Sequence, residues 1–142
     1  NGGIPQFSKS KVDPPDREEQ MVKLQTMRGA LAFELYVVES TASAPPEELQ
    51  AVLPSHLAYQ KETEAAGKLF LAGPMSDLTG EQMQGTGLII YRAGSLDEAR
   101  AIADADPMHA EGKRTYTLRK WLVNEGSPSF SMALSEKQVT MT

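Results

Sequence analysis

The chain has 142 residues, 40% hydrophobic and 23% charged, which is enough for one domain with its own core and makes a second domain unexpected. With 14 basic against 19 acidic side chains the net charge is -5, so the basic surplus that nucleic acid or an anionic membrane would draw on is missing, and small molecules or other proteins are the expected partners. The lack of cysteine excludes disulfides, thiolate metal sites and cysteine nucleophiles.

No apolar run approaches the roughly 18 residues that a membrane helix needs. The start Asn1-Gly2-Gly3-Ile4-Pro5 does not read as a signal peptide, so a cytoplasmic setting is the expectation. Residues 1–29 read as an arm. Its first part is rich in Gly, Pro, Lys and Asp, and Pro14-Pro15 stops any earlier helix. Asp13 can cap a short helix with Asp16, Glu18 and Glu19 in its first turn and Met21, Val22, Leu24 and Met27 as a thin apolar stripe.

The run Ala30–Val38 is aromatic and β-branched and predicts a central strand. Its alternation puts Leu31, Phe33, Leu35 and Val37 on one apolar face. Glu34, Ala32, Tyr36 and Val38 fall on the other, which is expected to be partly wet or closed over by a partner.

After a Ser/Ala/Pro loop at 40–46, residues 47–67 predict a helix, with Pro54 opening its main segment and Gly67 supplying a left-handed stop. Leu53, Leu57, Ala58 and Ala65 make its apolar stripe, and His56 falls beside that stripe. Lys68–Pro74 predicts a short buried strand ended by Gly73-Pro74. A glycine-containing loop follows from Ser76 to Gly87, and then a strand over Thr86–Arg92.

Ser95-Leu96-Asp97-Glu98 is a capping box: the serine oxygen accepts from the Glu98 amide and the glutamate reaches back to the serine amide. The helix it starts buries Leu96, Ala99, Ile102 and Ala103, and Pro107 interrupts it after Asp106. Arg114–Asn124 is the last strand, with Thr115, Thr117, Arg119, Trp121 and Val123 on one face; a C-terminal tail, 125–142, follows.

The order β-α-β-β-α-β places residues 30–124 in the α+β class, as a ferredoxin-like antiparallel four-stranded sheet with two helices on one face. A second sheet face bearing Phe, Tyr and Trp is expected to be covered by the terminal arms or by a second copy in a homodimer.

Only two histidines occur, His56 and His109, and each lies at a helix edge, so they are the main candidates for proton transfer near neutral pH. The segments Pro54-x-His56-Leu57, Glu64-x-x-Gly67-Lys68-Leu69, Ala72-Gly73-Pro74-Met75 and Ala103-Asp104-Ala105-Asp106-Pro107 occur in that order in the β-α-β-β-α-β frame. In this the chain resembles the YciI-like (YCII-related) proteins over about residues 30–124. The resemblance implies a dimeric α+β barrel and a His56–Asp106 dyad as active site. It implies no single reaction: one family member is associated with dehydrochlorination of a chlorinated hydroxyhydroquinone, and most have no assigned substrate. The chain departs from the common family pattern at Met108-His109, where an aromatic and then an aliphatic residue are usual.

On this reading Asp106 holds one ring nitrogen of His56, and the other nitrogen acts as general base on a phenolic or enolisable substrate. His109 is a candidate auxiliary acid. The bland alternatives are a helix-terminal His56 tied to a structural aspartate and a wet surface His109. The expected enzyme is a cofactor-independent lyase or isomerase; the alternative is a non-catalytic small-ligand-binding or dimerisation module.

Two histidines and an aspartate can also form a two-His, one-carboxylate metal set, but nothing in the spacing requires it and no metal is expected. Ser55 is a candidate donor to substrate, Gly73, Pro74 and Met75 a candidate pocket wall, and Arg119 with Trp121 a candidate clamp for an anionic ring. Each also has a structural reading: a helix-start hydroxyl, a turn and dimer packing. The glycines at 80, 85 and 87 lack the Gly-Lys-Ser/Thr of a phosphate loop, so no nucleotide is expected.

Overall fold

The computed structural model describes residues 33–135 and 138–141; the expected N-terminal arm and the first residues of the first strand lie outside them. The elements are β1 (Phe33–Ala42), α1 (Pro46–Ala65), β2 (Leu69–Ser76), β3 (Met83–Tyr91), α2 (Leu96–Ala105), α3 (Pro107–Ala110), β4 (Arg114–Val123), β5 (Phe130–Ala133) and β6 (Gln138–Met141). β1 to β4 form one antiparallel sheet in the order β2-β3-β1-β4, the ferredoxin-like topology that the element order predicts. Among the described residues no helix is long and apolar enough to cross a membrane.

The described residues fall in two compact units. Glu34–Trp121 is one; the segment from Leu122 belongs to the other, where β5 and β6 pair antiparallel from Phe130↔Met141 to Ala133↔Gln138.

Register decides which side chains meet the helices. Tyr36 lies opposite Tyr91 and Val38 opposite Ile89, so these four share one sheet face. They pack with Ala99, Ile102 and Ala103 of α2, and Tyr59, Leu69, Tyr116 and Leu118 close the cluster. Each large side chain so buried contributes about 1.5–3 kcal/mol. The face expected to be partly wet or closed over by a partner is therefore the one that the helices cover. Counting apolar residues favoured the face of Phe33, Leu35 and Val37, whereas the aromatic bodies of Tyr36 and Tyr91 supply the core.

Several boundaries differ from expectation for local reasons. β1 runs on through Ser40 and Thr41, which pair with Gly87 and Thr86, because the ladder with β3 holds residues whose own pattern is loop-like. β2 continues through Gly73-Pro74 to Ser76; it is an edge strand, where a proline costs no ladder bond on its free side. The β2–β3 connection thus shrinks to residues 77–82, with the Asp77 carboxylate accepting from the amide and hydroxyl of Thr79. Gly85, at φ +78, lies inside β3.

Pro54 sits within α1 rather than at the start of a segment. Ser95 caps α2 through the Glu98 amide at 3.1 Å, but the Glu98 carboxylate accepts from Gly94 N–H at 2.8 Å, one residue before the amide expected.

Candidate active site

Residues Val52, His56, Tyr59 and Thr63 follow one another at helical spacings and form the inward stripe of α1. Val52 and Thr63 are buried, Tyr59 packs on the core, and the His56 side chain is only 17% exposed. The leucines expected on that stripe are out: Leu53 is 41% exposed and Leu57 52%. The inward polar groups are each partnered, which is what lets them be buried. Tyr59 Oη donates to the Ile102 carbonyl at 2.7 Å, and Thr63 Oγ1 donates to the Gln60 carbonyl at 3.0 Å.

Pro107 holds Asp106 in extended backbone (φ −63, ψ 124), which ends α2 and lets the Asp106 side chain cap α3 by accepting from Met108 N–H at 3.0 Å. Asp106 is buried, its side chain 1% exposed, and its two carboxylate oxygens lie 2.9 Å from His56 Nδ1. A carboxylate can only accept, so His56 carries its proton on Nδ1 and presents the Nε2 lone pair. Gln60, one turn on, donates its amide N–H to that Nε2 at 3.1 Å. Burial first, and the Asp106 carboxylate second, hold the Tyr59 and Tyr91 phenols above their ordinary pKa.

A second chain of bonds runs beside the dyad. His109 Nδ1 is 2.7 Å from the Ala103 carbonyl, which can only accept, so that nitrogen carries the proton. Arg114 Nε donates to Ser40 Oγ at 2.8 Å, and the Ser40 hydroxyl donates in turn to His109 Nε2 at 2.8 Å. Arg114 Nη2 donates to the carbonyls of Ser40 at 2.7 Å and Gly85 at 2.8 Å. Burial lowers the Arg114 pKa and the Asp106 carboxylate works against that. The His109 ring also rests against Tyr116, centroids 4.6 Å apart.

Between α1 and the β2–β3 strands lies a cleft of about 410 Å³. Leu53, Leu57 and Met83 give it apolar walls, and Ser40, His56, Gln60 and Arg114 bring polar groups to it. Of the residues expected at a site, His56, Gly73 and Pro74 line this cleft, and Asp106 stands behind His56. His109 reaches it only through Ser40.

Ser55, Met75, Arg119 and Trp121 do not line it. Arg119 pairs with Glu39, and Trp121 is 45% exposed. Ser40, Gln60 and Arg114 were not singled out from sequence. Only Gln60 carried a signal there, its i+4 spacing from His56. Among the described residues no three His, Asp or Glu side chains gather as a metal site.

Fold and cleft together define a small ferredoxin-like α+β domain with a buried carboxylate–imidazole pair at the edge of a cleft. The family model for the YCII-related domain matches residues 31–122, and the chain belongs to that family. It is 35% identical over 66 residues, 46% of this chain and 71% of the relative, to the uncharacterized protein YjpA of Bacillus subtilis (strain 168). Among solved structures it is similar to 5-chloro-2-hydroxyhydroquinone dehydrochlorinase (TftG) from Burkholderia phenoliruptrix AC1100 in complex with 2,5-dihydroxybenzoquinone. That likeness has 24% identity and a TM-score of 0.45, covering 61% of this chain and 92% of the other.

Proposed function

We propose that the protein is a small enzyme of lyase or isomerase type in which His56 is the general base and Asp106 its positioning partner, acting without a cofactor on a small phenolic or enolisable substrate. The observation that carries this is the dyad itself: a fully buried carboxylate holding Nδ1 of an imidazole that lines the cleft. Fixing the proton on Nδ1 leaves Nε2 as the basic atom, and the negative carboxylate stabilises the imidazolium that forms when Nε2 takes a proton. The acidic proton of the substrate takes the place of the Gln60 amide. His109 contributes through the Ser40 hydroxyl.

The test is deuterium exchange and turnover over a panel of phenols, hydroxyquinols, lactones and 1,3-dicarbonyl compounds, with wild-type and His56→Ala protein. Loss of both in the variant supports the base. Equal rates in the two proteins remove His56 from the mechanism. A non-catalytic ligand-binding role is favoured by one observation, the Gln60 amide already occupying Nε2; a panel compound that binds stoichiometrically and is recovered unexchanged would establish that role instead.

A homodimer belongs to the same proposal. The sheet face away from the helices exposes Leu71 (47%) and Trp121, apolar surface of the kind that a second copy covers. Light scattering should give twice the 15.5 kDa of one chain, and a monomer at micromolar concentration would refute it.

A further inference from the structure

We infer that Arg114 is the anion-recognition residue of the cleft, so that the ligand is a small acid whose oxyanion, present from the start or formed as the proton leaves, faces this guanidinium. The inference rests on the proton-transfer reading above and names its substrate class.

A guanidinium has five N–H donors in a fixed plane. In Arg114 three are committed, all to neutral acceptors: Nε to the Ser40 hydroxyl, and Nη2 to the carbonyls of Ser40 and Gly85. Nη1 has no protein acceptor among the described residues, and none of their carboxylates pairs with Arg114. Asp106 is close enough to act on it electrostatically, but its oxygens are taken by His56 and Met108.

The cation is thus oriented by three bonds to neutral acceptors and partly desolvated, with no carboxylate bonded to it and only the nearby Asp106 charge opposing that desolvation, at a cleft it lines. Desolvating a charge without a partner costs free energy, and an anion in the cleft would offset that cost. The surroundings serve the orientation. His109, locked by the Ala103 carbonyl, accepts the Ser40 proton and so turns the Ser40 oxygen lone pairs toward Arg114 Nε. Gly85, in the left-handed region, supplies one of the carbonyls from inside β3, and a Cβ there would stand 3.2 Å from the Ala42 Cβ.

The chemistry closes without a further reagent. His56 Nε2 takes a proton from a C–H or O–H bond, the bonding pair moves onto the conjugated oxygen, and the resulting oxyanion meets Arg114. Return of the proton to another carbon gives isomerisation; departure of a leaving group with its electron pair gives elimination.

Benzoate and its neutral analogue benzamide are the probes, titrated by calorimetry and by NMR into the full chain at low salt. Wild-type protein is expected to bind benzoate about tenfold or more tightly than benzamide, as a charge-assisted pair requires. The preference is expected to vanish in Arg114→Gln and to persist in His56→Ala and Arg119→Gln. Because Arg114→Gln also removes three structural bonds, the Nε–Hε resonance of Arg114 in wild-type protein is followed too, and it should shift with benzoate and not with benzamide.

No preference for benzoate, whether both probes bind or neither does, overturns the inference; so does a preference lost only in Arg119→Gln. Proton exchange that depends on His56 without any anion preference removes the Arg114 subsite and leaves the base intact. An Arg114-dependent preference with no exchange on any substrate does the reverse.

Discussion

Replacing Asp106 by asparagine separates the electrostatic role of the dyad from its shape. The variant keeps one oxygen and exchanges the other for an amino group. Met108 N–H, 3.0 Å from Oδ1, selects the remaining oxygen, because an amino group there would face another donor. The new amino group then stands where Oδ2 lay 2.9 Å from His56 Nδ1, as near to it as the retained Oδ1, and its donation to Nδ1 is expected to move the ring proton to Nε2. There it confronts the Gln60 amide N–H at 3.1 Å, so that amide turns to present its oxygen. The basic lone pair has left the cleft.

The bond lost, from an imidazole to a buried carboxylate, is worth about 1.5–3 kcal/mol, and a neutral bond of about 0.5–1.5 kcal/mol replaces it. The difference, about 1–2 kcal/mol, lowers Tm by about 3–6 °C in a chain of this size. Relief from burying a charge opposes part of that loss, so the thermal shift is the smaller effect. Turnover or exchange on an accepted substrate falls by about 10²–10⁴-fold, the usual contribution of a positioned base. Nitrogen-15 correlation spectra of the His56 ring read the tautomer directly: proton on Nδ1 in wild-type protein, on Nε2 in Asp106→Asn. The reasoning is refuted if the variant keeps its proton on Nδ1, or if it works within about twofold of wild type.

Tyr59→Phe removes the bond to the Ile102 carbonyl and should cost about 1 kcal/mol in urea denaturation; no loss would mean that water replaces the hydroxyl. Pro54→Ala, at an exposed position inside α1, restores an amide donor to the helix and should raise stability by about 1–2 kcal/mol, whereas a less stable variant would show that the proline shapes the helix around His56. Tyr91 is held protonated by burial and then by Asp106, above its ordinary value of 10.0. The folded chain therefore keeps a proton that the unfolded chain releases, so this contribution is complete below pH 10 and is lost as pH rises, by about 1.4 kcal/mol per unit. Denaturation at several values between about pH 8 and 11 should show the decline, and Tyr91→Phe should make it shallower, leaving the share of Tyr59 and Tyr116, whose phenols burial also raises.

The element order was legible because each element has strong local signals: β-branched runs for β1 and β3, the Ser95 cap for α2, Pro107 for its end. Ser40–Ala42, Gly73-Pro74 and Gly85 were not legible as strand, since a ladder with a neighbour decides them and their own residues argue for loop. The inward face of α1 is not legible, because a hydrophobic count favours Leu53 and Leu57. Burial there follows partners instead: His56 has Asp106, and Tyr59 has the Ile102 carbonyl. The role of Arg114 is hidden from the sequence for the same reason. Its acceptors lie 74 and 29 residues away and two of them are backbone carbonyls, which no spacing in the sequence announces.

Asp106 carries three duties at once: Pro107 after it stops α2, its side chain starts α3, and its carboxylate fixes the His56 ring. Formation of the site and completion of the helical layer are therefore coupled, and most substitutions at Asp106 lower both stability and function. Serine separates the two, because its hydroxyl can cap α3 at Met108 N–H but is one atom too short to hold His56 as well. An Asp106→Ser protein should keep the α3 turn and lose the fixed tautomer. If it lost α3 as well, the bond to His56 would be what holds that helix in place, and the dyad would be a structural tie before it was anything else.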